Sequence, residues 1–307
     1  YETQTALFWL AVTYSVLGFI IHILLPTERF YKSKGHVALS TVKKSFIDFW
    51  RYLKSFSSDI EHKPVGLTHE EKTAILFVLV KIFFLPIMLN FLFSNYTSVN
   101  WSLKNWPGIF QILNLSVFNR FTYAFLINLF FLIDTAYFTF GYSIESKFLK
   151  NTVRSVEPTL LGWIVALLCY PPFSGLFTQY TSWYASDAIS FGGLRFDYIM
   201  HIILLILVFI YLWATLALGA KSSNLTNRGI VSSGPYRFVR YPAYIGKNLF
   251  WWLTIIPIMS IPAFLSMAAW SSIYFLRAIT EERHLIKDPD YQAYCKKVKY
   301  RFIPYVI

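Results

Sequence analysis

The chain has 307 residues, of which 56% are hydrophobic, 20% aromatic and only 14% charged. Soluble domains carry about 25% charged residues, so this composition excludes a soluble enzyme, a disulfide-rich secreted domain and a disordered chain. The excess of 28 Lys+Arg over 16 Asp+Glu flanks apolar runs, which fits anionic headgroups and topology selection and speaks against nucleic acid.

Apolar runs fall at 5–25, 72–93, 120–142, 159–178 and 196–220, each near the length of about 20 residues that a spanning helix needs. Residues 6–25 are too long and too lightly flanked by charge for a signal peptide and read as a span. Residues 246–278 are apolar but interrupted by Pro257 and Pro262. Proline cannot continue a helix, so a short hairpin with both prolines at its tip is predicted. The expected fold is all-α: a polytopic transmembrane helical bundle of about seven spans with a cytoplasmic C-terminal helix.

Between the first two runs, Leu39, Val42, Phe46, Phe49, Trp50, Leu53 and Phe56 recur at three- and four-residue steps, with Lys43, Lys44, Arg51 and Lys54 mostly between them. That spacing predicts an amphipathic helix over about 36–56, lying on the membrane surface. The segments 26–71 (with Arg29, Lys32 and Lys63), 143–158, 221–247 and the C-terminal tail are rich in Lys and Arg, whereas 94–119 and 179–195 hold only Lys104 and Arg195. This alternation places the N-terminus outside and the C-terminus in the cytoplasm.

Polar residues inside spans are costly and therefore candidates for a role. Lys81 and Asp134 are expected to pair across neighbouring helices, as a structural or a functional pair, and His201 reads as interfacial. The six histidines show no i, i+4 pair and no cysteine stands at metal-ligand spacing, so no metal is expected. A Gly-rich phosphate loop and a G-x-S-x-G elbow are also lacking.

The densest polar pattern lies toward the C-terminus. Gly229, Gly234, Pro235, Pro242 and Gly246 alternate with Tyr236, Tyr241, Tyr244, Arg237 and Arg240. Gly and Pro set a turned backbone, tyrosines offer stacking faces and arginines offer anion forks. Such a loop suits a ligand with an aromatic ring and an anionic group, or else a basic re-entrant loop on anionic lipids. Arg277 and Glu281 share a helix face, and Glu282 follows. Carboxylates at a helix C-terminal end oppose the dipole, so a cationic ligand explains them better than stability does.

Three motifs in this order, G-P-Y-x-x-x-R-x-P-x-Y-x-G (234–246), R-x-x-x-E-E-x-x-L (277–285) and Y-x-x-Y-x-x-x-V-x-x-R-x-I-P (291–304), resemble the isoprenylcysteine carboxyl methyltransferase family. Its relatives are the membrane phospholipid methyltransferases, and the resemblance covers about 220–307. It implies an S-adenosylmethionine-dependent methyltransferase with a cytoplasm-facing cofactor pocket. The implied acceptor is a lipid or lipidated molecule, prenylated substrates and carboxylates included, and the implied partners are membrane lipids. Carried over by motif, Gly234, Tyr236, Arg240, Pro242, Tyr244, Glu281 and Glu282 are cofactor residues. Tyr241 stands where the family usually has His and is expected to hydrogen-bond and stack there. Arg277 is expected beside the acceptor, with Glu281 or Tyr241 as base should the acceptor be an amine or hydroxyl.

Residues 1–157 match no known pattern and are read as an N-terminal membrane region, with 158–307 as the methyltransferase-like domain. The tail is also similar to that of the NADPH-dependent membrane sterol reductases, through Tyr294, Cys295, Val298, Tyr300, Arg301, Ile303 and Pro304. A reductase is therefore the alternative enzyme, although an acidic pair would repel a triphosphorylated dinucleotide. A non-catalytic lipid- or protein-binding protein on the same fold is the third reading.

Overall fold

The computed structural model of the chain describes residues 2–24, 33–55, 66–108 and 114–303. Arg29, Lys32 and Lys63 of the basic loop, Phe56 of the amphipathic pattern and Pro304 of the closing motif fall outside them. The described helices are α1 (Glu2–Leu24), α2 (Lys34–Ser55), α3 (His69–Asn105) and α4 (Leu115–Ser143, with a π-helical turn at Phe118–Thr122). They continue with α5 (Leu160–Leu167), α6 (Phe173–Thr178), α7 (Leu194–Leu218), α8 (Pro242–Ile255), α9 (Ile261–Leu285) and α10 (Pro289–Lys297). The fold is an all-α helical bundle, relieved by two-residue strands β1 (Ser155–Val156) and β2 (Thr226–Asn227), which pair antiparallel with Ser155 opposite Asn227.

Three described stretches are long and apolar enough to cross a membrane: His69–Asn105, Leu115–Ser143 and Leu194–Lys221. α3 begins with a capping box, in which Glu71 N–H donates to Thr68 Oγ1 (3.2 Å) and Thr68 N–H donates to Glu71 Oε2 (2.8 Å). Its 37 residues measure about 55 Å at 1.5 Å per residue. That exceeds a hydrocarbon core of about 30 Å, so part of the helix stands clear of it.

The expected span over 159–178 is instead two short helices, α5 and α6, parted by a turn through Pro171 and Pro172. Two successive prolines supply no backbone N–H, so the apolar run cannot continue as one helix. The Pro-broken hairpin is present. α8 and α9 are its arms, Pro257 sits in the 3-10 turn Ile256–Ile258, and Pro262 lies in the first turn of α9, which Ser260 caps.

α2 matches the predicted amphipathic helix in position. It packs on α3 and buries Ala38 and Thr41, while Leu39, Phe46 and Trp50 remain exposed. One core cluster joins α3, α4, α5 and the paired strands through Phe77, Phe84, Tyr142, Val156, Ala166 and Leu225. Phe84 and Tyr142 stack there with centroids 5.6 Å apart. A second cluster joins α4, α7 and α8 through Tyr123, Ile127, Leu204, Val208 and Phe250. Gly246 makes that contact close, since a Cβ there would lie 2.6 Å from the Leu207 carbonyl oxygen.

Lys81 and Asp134 do not pair. Asp134 is buried and accepts from Tyr211 OH (2.7 Å) and Thr215 Oγ1 (2.6 Å), tying α4 to α7. Lys81 lies over the Phe77 ring, 4.9 Å from its centroid. Two hydroxyls on a facing helix already satisfy the Asp134 carboxyl, and the lysine finds a ring on its own helix one turn away. His201 is buried: it stacks on Tyr123 at 3.9 Å and lies 3.1 Å from Asn119 Oδ1.

Candidate active site

A cavity of about 210 Å³ lies between the α7 end, the loop 221–231, the start of α8 and one face of α9, with α10 across it. Helical spacing decides what α9 contributes: Arg277, Glu281 and His284 recur at four- and three-residue steps and all line the cavity. α8 contributes Tyr244 and Lys247, and Tyr241 precedes its first residue, Pro242.

The centre of this wall is a hydrogen-bonded network. Glu281 Oε1 accepts from Tyr244 OH (2.7 Å) and from Arg277 Nε (3.2 Å). Arg277 Nη2 donates to Asn224 Oδ1 (2.5 Å), and its guanidinium lies 5.4 Å from the Tyr244 ring centroid and 5.9 Å from that of Tyr170. Asn224 is fixed in turn, donating from Nδ2 to Tyr170 OH (3.1 Å) and from its backbone N–H to Tyr142 OH (2.6 Å). Arg277 therefore bonds to two side chains, and the planar fork is what lets it reach both.

Glu282 does something else. It stands between two arginines, accepting from Arg240 Nη1 and Arg301 Nε, each at 2.5 Å. Arg240 also donates to Cys295 Sγ (3.1 Å) and the Lys299 carbonyl (3.2 Å). The backbone N–H groups of Arg240 and Tyr241 donate to the carbonyls of Tyr300 and Arg301, both at 3.0 Å. Glu282 thus fastens the C-terminal tail to the Gly-Pro-Tyr loop from behind the cavity wall, whereas Arg240 lines the cavity and its buried Nε has no hydrogen-bond partner. Gly234 and Pro242 also stand behind the wall. Gly234 has φ +61°, a left-handed conformation that opens the turn carrying Tyr236.

Among the predicted residues, then, the structure brings Tyr236, Arg240, Tyr241, Tyr244, Arg277 and Glu281 to one cavity and keeps Gly234, Pro242 and Glu282 as supports. Tyr241, at the position where the resemblance implies His, is buried and donates to the Ala278 carbonyl (2.9 Å).

Sequence reasoning missed Glu157, Asn224, Lys247 and His284 as wall residues. Glu157 is 2% exposed; its Oε1 accepts from Thr159 N–H (3.0 Å), and its Oε2 has no hydrogen-bond partner. His284 Nδ1 lies 3.9 Å from that oxygen, and its Nε2 lies 2.9 Å from Ser155 Oγ. Lys247 Nζ sits among Tyr211, Trp251 and Tyr274, 5.0–5.7 Å from their centroids. His284 was findable, being three residues past Glu281 on the same face. Glu157 and Asn224 were not, because the β1–β2 pairing and the packing of α5 on α9 bring them there.

Burial pushes the His284 imidazolium pKa down; the Glu157 charge opposes this and Lys287 adds to it. The folded protein then holds His284 neutral at a pH where the unfolded chain binds a proton. Its contribution to stability is complete above the unfolded value of about 6.5 and is lost as pH falls below it. His284→Gln is expected to flatten the fall in thermal stability between pH 7.5 and pH 5.5. An unchanged pH slope in the variant would assign that fall to other groups.

Fold and cavity together define a helical bundle with membrane-length helices and a polar, tyrosine-walled pocket where its C-terminal helices meet. Residues 196–288 match the model of the phospholipid methyltransferase family, a stretch running from α7 through the first two motifs to the end of α9. The family resemblance of the C-terminal part therefore holds. No curated protein matches the chain.

Proposed function

We propose that the chain is an integral-membrane methyltransferase that uses S-adenosylmethionine and acts on a lipid or lipidated acceptor, with the pocket facing the cytoplasm. One observation carries this reading. A cavity walled largely by the matched segment, with Glu157 and Tyr170 contributed from outside it, gathers aromatic faces and charged groups of both signs, with buried atoms left unpartnered at Glu157 Oε2 and Arg240 Nε. Buried polar atoms without partners are rare and costly, so a ligand that is both cationic and anionic fits these walls.

When bound, S-adenosylmethionine supplies a methyl group activated on a sulfonium sulfur. Glu281 and Glu157 present negative charge to its cationic centres, and Arg240 offers its free Nε to the carboxylate. The rings of Tyr236, Tyr241 and Tyr244 provide faces for the adenine. Glu282 acts through Arg240, which it holds in place. Arg277, fixed by Asn224 and Glu281, orients the acceptor, and the apolar flanks of α8 and α9 give a lipid a lateral path. A carboxylate acceptor needs no base. An amine or hydroxyl must lose a proton, and Glu281, which lines the cavity, is the base we assign.

The sterol-reductase alternative loses part of the objection raised against it. Two arginines neutralise Glu282, and Glu281 and Glu157 are each paired with an arginine as well (Arg277 and Arg283), so little repulsion of a dinucleotide remains. Incubating membranes that contain the chain with methyl-labelled S-adenosylmethionine tests the proposal. Label is expected in the lipid extract and is expected to disappear in Glu281→Gln. NADPH consumption without label transfer would replace the proposal with the reductase.

A further inference from the structure

We propose that Lys34, Lys81 and Arg228 form an oxyanion site that takes the phosphate of an anionic phospholipid headgroup. The inference is independent of methyl transfer. Three cations surround one buried ring, Phe77: Lys81 Nζ lies 4.9 Å from its centroid, the Arg228 guanidinium carbon 5.4 Å and Lys34 Nζ 5.5 Å. Among the described residues, the carboxylate that bonds within this cluster is Glu145, which pairs with Lys34 and also accepts from Val153 N–H (2.8 Å). Lys81 is attracted by Glu145 and repelled by both Arg228 and Lys34. One carboxylate against three cations leaves the cluster positively charged.

Arg228 is the unusual member. It is 3% exposed, and only Nη1 is bonded, to the Asn151 carbonyl at 3.0 Å. Nε and Nη2 are buried without a hydrogen-bond partner. A guanidinium taken out of water with donors unsatisfied is costly, and a face-on aromatic ring compensates weakly. A phosphate presents several acceptor oxygens in the geometry that an arginine fork matches, and two ammonium groups complete its neutralisation.

Position favours a lipid as the source. Glu145 follows the last residue of α4 by two positions, and Lys34 is the first residue of α2. The cluster therefore lies level with helix ends, where headgroups lie, rather than at the bilayer centre. α2 also leaves Leu39, Phe46 and Trp50 exposed beside it, an apolar face of the kind that lies along acyl chains. Arg228 additionally lines the main cavity, so an occupied site would hold a lipid next to it.

The test uses the full chain in neutral detergent micelles, with thermal unfolding followed by tryptophan fluorescence as dioleoylphosphatidic acid, dioleoylphosphatidylcholine or inorganic phosphate is added. Phosphatidic acid is expected to raise the midpoint saturably and phosphatidylcholine to leave it unmoved. Lys81→Gln is expected to weaken the phosphatidic acid effect about tenfold, the size of one charge-assisted hydrogen bond. Arg228→Gln should weaken it at least as much, while Lys43→Gln on the exposed face of α2 should not change it. If Arg228→Gln fails to fold, the half-buried Lys81 decides alone. Equal stabilisation by inorganic phosphate would keep the oxyanion site and overturn the lipid as its occupant. Unaltered phosphatidic acid binding in Lys81→Gln would overturn the site itself.

Discussion

Arg277→Lys is expected to leave the chain folded and its affinity for S-adenosylhomocysteine within a few-fold of the parent, while turnover on the acceptor falls about a hundredfold. The reason is geometric. The guanidinium spans Asn224 Oδ1 and Glu281 Oε1 at once, between the rings of Tyr244 and Tyr170. An ammonium keeps the charge but is a single point that cannot hold both partners and still present an edge to an acceptor. An exposed i, i+4 pair is worth only about 0.2–0.5 kcal/mol, and Arg before Glu is the weaker order. Here the pair is largely buried, with the Arg277 side chain 7% exposed, and the guanidinium is held by Glu281 and Asn224 together. Turnover, inhibitor affinity and unfolding midpoint measured on one preparation separate the possibilities. Normal turnover with a lowered midpoint would make Arg277 a structural residue and remove it from the acceptor site.

Glu282→Gln is expected to destabilise the protein by about 2–3 kcal/mol and to loosen the tail. A hydrogen bond to a charged group contributes about 1.5–3 kcal/mol. Glu282 makes two, of which the one to Arg301 is discounted because that side chain is 41% exposed. Donor affinity should fall as well, because Arg240 loses its anchor. Limited proteolysis near 299–301 should accelerate in the variant. The opposite pattern, full stability with donor binding abolished, would return Glu282 to direct contact with the donor, the role its motif implies.

The two carboxylates show how far the sequence could be read. Glu281 and Glu282 are adjacent in R-x-x-x-E-E, and both looked like ligand residues by charge alone. A helix turns about 100° per residue, so neighbours cannot share a face, and only Glu281 follows Arg277 by one full turn. The hairpin was legible because Pro257 and Pro262 act locally. The long runs that became α3, α4 and α7 were legible because length and apolarity suffice. The run at 159–178 misled for the same reason: composition outweighed Pro171 and Pro172, which break it into α5 and α6. Lys81 misled differently. Its place about a third of the way along a 37-residue helix depends on where α3 begins, and a hydropathy window does not mark that. Glu157 and Asn224 reach the cavity through a two-residue strand pairing, and no periodicity announces so short a contact.

The central claim is that the cavity between α8, α9 and the Gly-Pro-Tyr loop holds a methyl donor. Titration calorimetry of the purified chain with S-adenosylhomocysteine and, separately, with NADPH tests it most directly. Saturable binding of S-adenosylhomocysteine, weakened in Glu281→Gln by the roughly 1.5–3 kcal/mol of a charged hydrogen bond and accompanied by no NADPH binding, is the predicted result. Saturable NADPH binding without S-adenosylhomocysteine binding would contradict it and assign the cavity to a reductase, and binding of neither would leave the fold without this chemistry.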